Sequence, residues 1–147
     1  MIQCLHRVIE TYLDNYGWSY KVGGCGGWIT GFQGGERSYP LFINITETWI
    51  TFNIRPFIGI STDWEYWPEV LQFLLKLNNR CSMVKLVIDD DNCISLLLEI
   101  FARDLSYSEF YDSLGVLGYY ADFIYGEILD FFDKIDFKYS HSLKFLT

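Results

Sequence analysis

The side chains from which nucleophilic catalysis could be assembled are Cys25, His6 and His141. A cysteine nucleophile needs a base within hydrogen-bond reach and a third group that orients the base. Cys25 sits in the glycine-rich stretch VGGCGGWITGFQGGE, His6 in an N-terminal amphipathic stretch, and His141 near the C-terminus. Nothing in that order pre-organises the three, so no catalytic residue is expected. The cysteines Cys4, Cys25, Cys81 and Cys93 are spaced by 21, 56 and 12 positions, with no CxxC pair. Zinc sites are built on close pairs, so neither a metal nor any other cofactor is expected, and the four thiols are expected to be free. Cys25 should be the most reactive, because its glycine neighbours leave it open.

The glycine cluster invites a phosphate-loop reading, which fails on spacing. Such a loop needs GxxxxGK followed by Ser or Thr at the start of a helix. Here Lys21 precedes the run, and Trp28 to Phe32 reads as a short strand. Glycines on both sides of a strand instead suit positive φ or a close backbone approach. The acidic run Asp90-Asp91-Asn92 lacks the alternating ligands and glycine of a calcium loop and reads as a turn. Asp130, Asp133 and Asp136 recur at steps of three, the pattern of a solvated helix face.

The elements that would carry these residues follow from periodicity. Apolar positions from Ile2 to Tyr16 recur at steps of three and four, and Gly17 supplies a stop. Residues 39–55 alternate, and pairing Ile45 with Thr48 across a Thr46-Glu47 turn places Tyr39, Leu41, Ile43, Ile50, Phe52 and Ile54 on one face. Phe42 and Trp49 then belong to the opposite, otherwise polar face. Pro68 and Glu69 open a second helix whose stripe is Val70, Leu71, Leu74 and Leu77. A second hairpin turns on Asp90-Asp91-Asn92, with Asn92 in the left-handed conformation, and aligns Val84, Leu86 and Ile88 with Ile94, Leu96 and Leu98. Ser106-x-x-Glu109 is a capping box with Leu105 and Phe110 as its staple. Beyond it, Phe110 to Ile135 carries an unbroken heptad stripe, expected to lie across the sheet despite Gly115 and Gly118. The order is α-βββ-α-ββ-α. That predicts a single α+β domain over residues 1–147, with an antiparallel sheet of about five strands, helices on one face, and a loose tail from about residue 137.

Composition narrows the partners. Nineteen acidic against eleven basic residues give a formal charge of −8, a field that repels nucleic acid and anionic membranes. No eighteen-residue apolar window and no signal-peptide core interrupt the chain, so it reads as cytoplasmic. Aromatic residues make up 19% of the sequence, a surplus that suits partner contact. Trp28, Phe42 and Trp49 are the candidate partner-binding residues. On an open sheet face they would hold a protein segment; around a closed pocket they would line a small-ligand site, the alternative reading.

The run LLKLNNRCSMVKLVIDDDNCISLLLEIFARDLSYSEFYDSLGVLGYYADFIYGEIL resembles the YbjN family, whose fold is that of the type III secretion chaperones. The features in common are a helix ending in Leu-Asn, a strand with a central Lys, and an acidic turn before an aliphatic strand. "DLSYSEF" opening a long helix and Ala121-Asp122 before an aromatic complete the match. The similarity is good over roughly residues 66–130 and elsewhere rests on element order, with the glycine-rich stretch departing from the pattern. It implies a small acidic cytoplasmic homodimer that binds a segment of another protein.

Overall fold

The structure, a computed structural model, describes residues 2–138. The elements are α1 (Ile2–Tyr16), β1 (Lys21–Val22), β2 (Trp28–Gln33), β3 (Ser38–Ile45), β4 (Trp49–Ile58), α2 (Trp67–Asn78), β5 (Val84–Ile88), β6 (Ile94–Phe101) and α3 (Tyr107–Lys138). One antiparallel sheet of six strands runs β1-β2-β3-β4-β6-β5. The strand beyond the expected five is β1, two residues long and paired through Lys21↔Ile29 and Val22↔Trp28. The glycines between β1 and β2 allow this fold-back: the Gly23 N–H donates to the Gly27 carbonyl, and Gly26 has φ +87°. A Cβ on Gly27 would lie 2.6 Å from the Ile43 carbonyl oxygen, so only glycine lets the chain enter β2 against β3.

The β5–β6 ladder pairs Val84 with Leu98, Leu86 with Leu96 and Ile88 with Ile94, as the alternation requires, and Asn92 has φ +60°. The β3–β4 hairpin has the expected faces but a different register. Ile45 opposes Ile50 rather than Thr48, and Ile43 opposes Phe52. Thr46 explains the longer connection: its Oγ1 accepts the N–H groups of Thr48 and Trp49 at 3.2 and 2.9 Å. That local capture diverts the Trp49 N–H from the Thr46 carbonyl, while the Thr46 N–H still donates to the Trp49 carbonyl at 2.8 Å and closes the turn on Glu47 and Thr48. A slip of two residues moves each side chain to a new partner while keeping it on its own side of the sheet.

The helices pack on the face that carries Trp28, Tyr39, Leu41, Ile43, Ile50, Phe52, Ile54, Leu96 and Leu98, all buried. Ile9 and Leu13 of α1 join them, as do Val70, Leu74 and Leu77 of α2. The α3 stripe fills the remainder, with Phe110, Leu114, Leu117, Ala121, Ile124 and Ile128 buried. At the start of α3 the Glu109 N–H donates to Ser106 Oγ, and the Ser106 hydroxyl donates to the Glu109 carboxylate, each at 3.1 Å. The helix continues to Lys138, into the span expected to be tail. Asp130 and Asp133 are exposed on it; the Asp136 side chain, His141 and residues 139–147 lie outside the described residues.

Candidate partner-binding face

The face of the sheet turned away from the helices carries no covering element among the described residues. Register places Ile29, Phe42, Asn53, Leu97 and Lys85 in one row across it. A second row contains Asn44, Thr51 and Glu99, and at one end Trp49 lies opposite Phe101. These two rings stack with centroids 4.8 Å apart and planes at 19°, and they are 41% and 61% exposed. Ile29 is also exposed, while Phe42 and Leu97 are half-buried. Polar side chains are interleaved with these rings: Asn44, Thr51 and Asn53 are uncharged, with Asn53 Oδ1 buried and without a hydrogen-bond partner among the described residues, and Lys85 Nζ meets Glu99 Oε1 at 2.8 Å. Further along, Arg55 Nε donates to Asp89 Oδ2 at 2.6 Å and an Nη donates to Asp91 at 3.3 Å. The Arg55 hydrogen bond, followed by the Cys93 N–H, holds the Asp89 carboxyl below the usual carboxylate range. With these charges engaged in pairs, the face presents aromatic and aliphatic side chains among uncharged polar ones.

Of the three residues singled out from the sequence, the structure puts Phe42 and Trp49 on this face and removes Trp28 from it. Trp28 is 1% exposed, packs against the His6 ring at 4.7 Å, and donates its indole N–H to Glu10 at 3.2 Å. The reason is parity: Trp28 opposes Ile43, a core position, and cross-strand neighbours share a face. Phe101 was missed. Once Leu96 and Leu98 are core, alternation puts Phe101 on the open side. That it stacks on Trp49 depends on β6 lying beside β4, a pairing of distant segments.

Of the groups considered for catalysis, His6 and Cys25 lie among the described residues. His6 is committed to Trp28, and Cys25 is exposed in the β1–β2 loop. Cys4 is exposed on α1, whereas Cys81 and Cys93 are half-buried, with burial pushing the Cys81 thiol up. Among the described residues no three His, Cys, Asp or Glu side chains are grouped to hold a metal. No described helix is long and apolar enough to cross a membrane.

A second surface feature lies beside the outer edge of β2. A groove of about 550 Å³ there is bordered by Trp18, Phe32, Tyr119 and the backbone of Gly115 and Gly118 of α3. At one end Asp122 accepts the Gly35 N–H with both carboxylate oxygens, at 3.1 and 3.0 Å, and the Tyr39 hydroxyl at 3.0 Å.

No family model matches the chain, and no curated protein matches it. Solved structures do. The Yersinia pestis type III secretion chaperone SycH, in complex with a stable fragment of YscM2, superposes with a TM-score of 0.54 at 16% identity, over 80% of this chain and 96% of that one. YbjN from E. coli superposes with a TM-score of 0.55 at 16% identity, over 77% of this chain and 85% of that one. The helix–hairpin order, the open antiparallel sheet and these superpositions agree: the chain has the α+β fold of YbjN and the type III secretion chaperones.

Proposed function

We propose that this protein is a non-catalytic, cytoplasmic binding module, chaperone-like or adaptor-like, that works as a homodimer and holds a segment of another protein on its open sheet face. The observation that carries the reading is the exposed Trp49–Phe101 stack on a face no described helix covers, with Phe42 and Ile29 further along it beyond the Asn44, Thr51 and Glu99 row. Large exposed rings among uncharged polar groups are anchors for a protein partner, and such anchors typically contribute about 2 kcal/mol or more each. SycH, of the same fold, was crystallised with a fragment of another protein, which lends the reading support. The charge of −8 favours a neutral or basic partner over nucleic acid.

The test is affinity capture with the wild type and with Trp49→Ala, followed by titration of the purified partner. The variant should remain folded, because the core lies on the other face, losing only the Phe101 stack from its stability (about 1 kcal/mol), and should bind roughly thirtyfold more weakly. Unchanged partner affinity in a folded variant would rule out the face. Light scattering at high concentration that finds only monomer would remove the dimer from the proposal.

A further inference from the structure

The groove beside β2 has features that packing within the chain does not require. Gly115 and Gly118 lie in the interior of α3, where glycine costs about 1 kcal/mol relative to alanine. A Cβ at Gly115 would meet nothing within 4 Å, and one at Gly118 would meet only Phe32 Cε2, at an ordinary 3.7 Å. Neither glycine is there to admit a close neighbour. Their missing side chains instead leave the groove floor open.

The walls have a definite chemistry. Trp18 and Phe32 lie parallel at 6°, with centroids 5.6 Å apart, and Tyr16 stands edge-on to Trp18 at 84°. Tyr119 is exposed on the α3 side. Among the described residues the only charged group bordering the space is the Asp122 carboxylate, and no lysine or arginine borders it. Aromatic faces and a carboxylate attract the same ligand, a cation with apolar surface, and both disfavour an anion. The net charge acts in the same direction.

Shape then decides between a ligand and a passing chain. Positions 115, 118 and 122 follow at steps of three and four, so they share one face of α3 and span about 10 Å at 1.5 Å per residue. At the Asp122 end the turn joining β2 and β3 is tied down by its Gly35 N–H bonds to that carboxylate. The turn therefore walls the groove at its charged end, which suits a ligand entering head first and obstructs a polypeptide running through.

We propose that this groove binds a small organic ammonium ion, its head at Asp122 and its apolar body over Gly115 and Gly118 between the Trp18–Phe32 and Tyr119 walls. The site is separate from the open sheet face, and neither reading depends on the other.

The experiment titrates the full chain with 4-phenylbutylammonium and with 5-phenylpentanoate, a probe of similar size and opposite charge, following amide shifts by NMR. The expected result is saturable one-site binding of the ammonium, with the carboxylate at least tenfold weaker. Gly115→Leu, which fills the floor without touching Asp122, should abolish binding with the fold intact. Gly115→Ala should raise the melting temperature, the separate readout of a helix position with room for a Cβ. Asp122→Asn, which keeps a side-chain acceptor for the Gly35 N–H, should weaken the ammonium at least tenfold. Should Asp122→Asn fail to fold, Gly115→Leu and the charge-reversed probe still decide. Equal binding of the two probes, undiminished binding by Gly115→Leu, or no saturation with the ammonium would overturn the proposal. A segment-binding groove would instead leave both small probes unbound.

Discussion

Asn92 shows how a single backbone conformation closes the β5–β6 hairpin. Its φ of +60° places the loop so that the Asp89 N–H reaches the Cys93 carbonyl at 3.1 Å, and the Asp89 carboxylate then accepts the Asp91 and Cys93 N–H groups. Asn92→Gly, with no Cβ to oppose that φ, should leave the urea midpoint unchanged or slightly higher. Asn92→Val, β-branched, should lower stability by about 1 kcal/mol. An unaffected valine variant would mean the loop can close another way. Tyr39 gives a prediction in pH. Burial first, then its hydrogen bond to the Asp122 carboxylate, hold the Tyr39 hydroxyl well above its ordinary 10.0, while Arg37 over the ring acts in the other direction. A raised pKa means the native state favours the neutral phenol. Its contribution is complete below pH 10 and declines as pH rises above that ordinary value. The urea midpoint should therefore fall between pH 9.5 and pH 11, two values bracketing the ordinary tyrosine pKa of about 10. The fall should be smaller in Tyr39→Phe, and an identical fall in both proteins would show that Tyr39 does not drive it.

At the scale of elements, the outer edge of β5 is closed by a side chain. Asn78, the last residue of α2, accepts the Leu86 N–H at 2.7 Å and donates to the Leu86 carbonyl at 3.2 Å, as a neighbouring strand would. An open edge strand invites pairing between molecules, and this pair of bonds blocks it at the middle of β5. Asn78→Ala should destabilise by about 1–3 kcal/mol, by leaving two strand groups unpaired, and should increase association through that edge. Chemical denaturation and light scattering together check this. A variant as stable and as dispersed as the wild type would assign the edge's protection to something else. The opposite edge is closed differently: β1 pairs with only two residues of β2, and Ser19 accepts the Thr30 hydroxyl at 2.7 Å.

At the scale of the whole molecule, the two faces of the sheet divide the labour. One face buries the three helices in a single continuous core. The other carries paired charges and a stacked aromatic couple with no described element over it. That separation is why Trp49→Ala is expected to cost binding while leaving the fold intact. The ring-rich composition is also divided. Rings from Tyr107 through Tyr111, Tyr16 and Trp18 to Phe32 and Tyr39 contact one another in sequence along the α1, α3 and β2 side. The aromatic surplus thus supplies both core and surface.

Period and local chemistry were enough to read most of this fold from residues alone. The α3 stripe, the capping box, the Asn92 turn and the core faces of both hairpins depend on spacing within one element or on one turn, and all are present as the sequence implies. The two-residue slip at Thr46 is local as well, a hydroxyl capturing N–H groups two and three positions on, and alternation alone does not register it. Tertiary structure decided what depends on which distant segments meet. It buried Trp28, because β2 pairs with β3 so that this ring falls opposite Ile43. It brought Phe101 onto Trp49, since β6 inserts between β4 and β5. It also left Gly115 and Gly118 facing a groove rather than a close neighbour. A side chain's face is set by its own strand's alternation; its neighbours are set by pairings that form across long stretches of chain, and no local pattern encodes those.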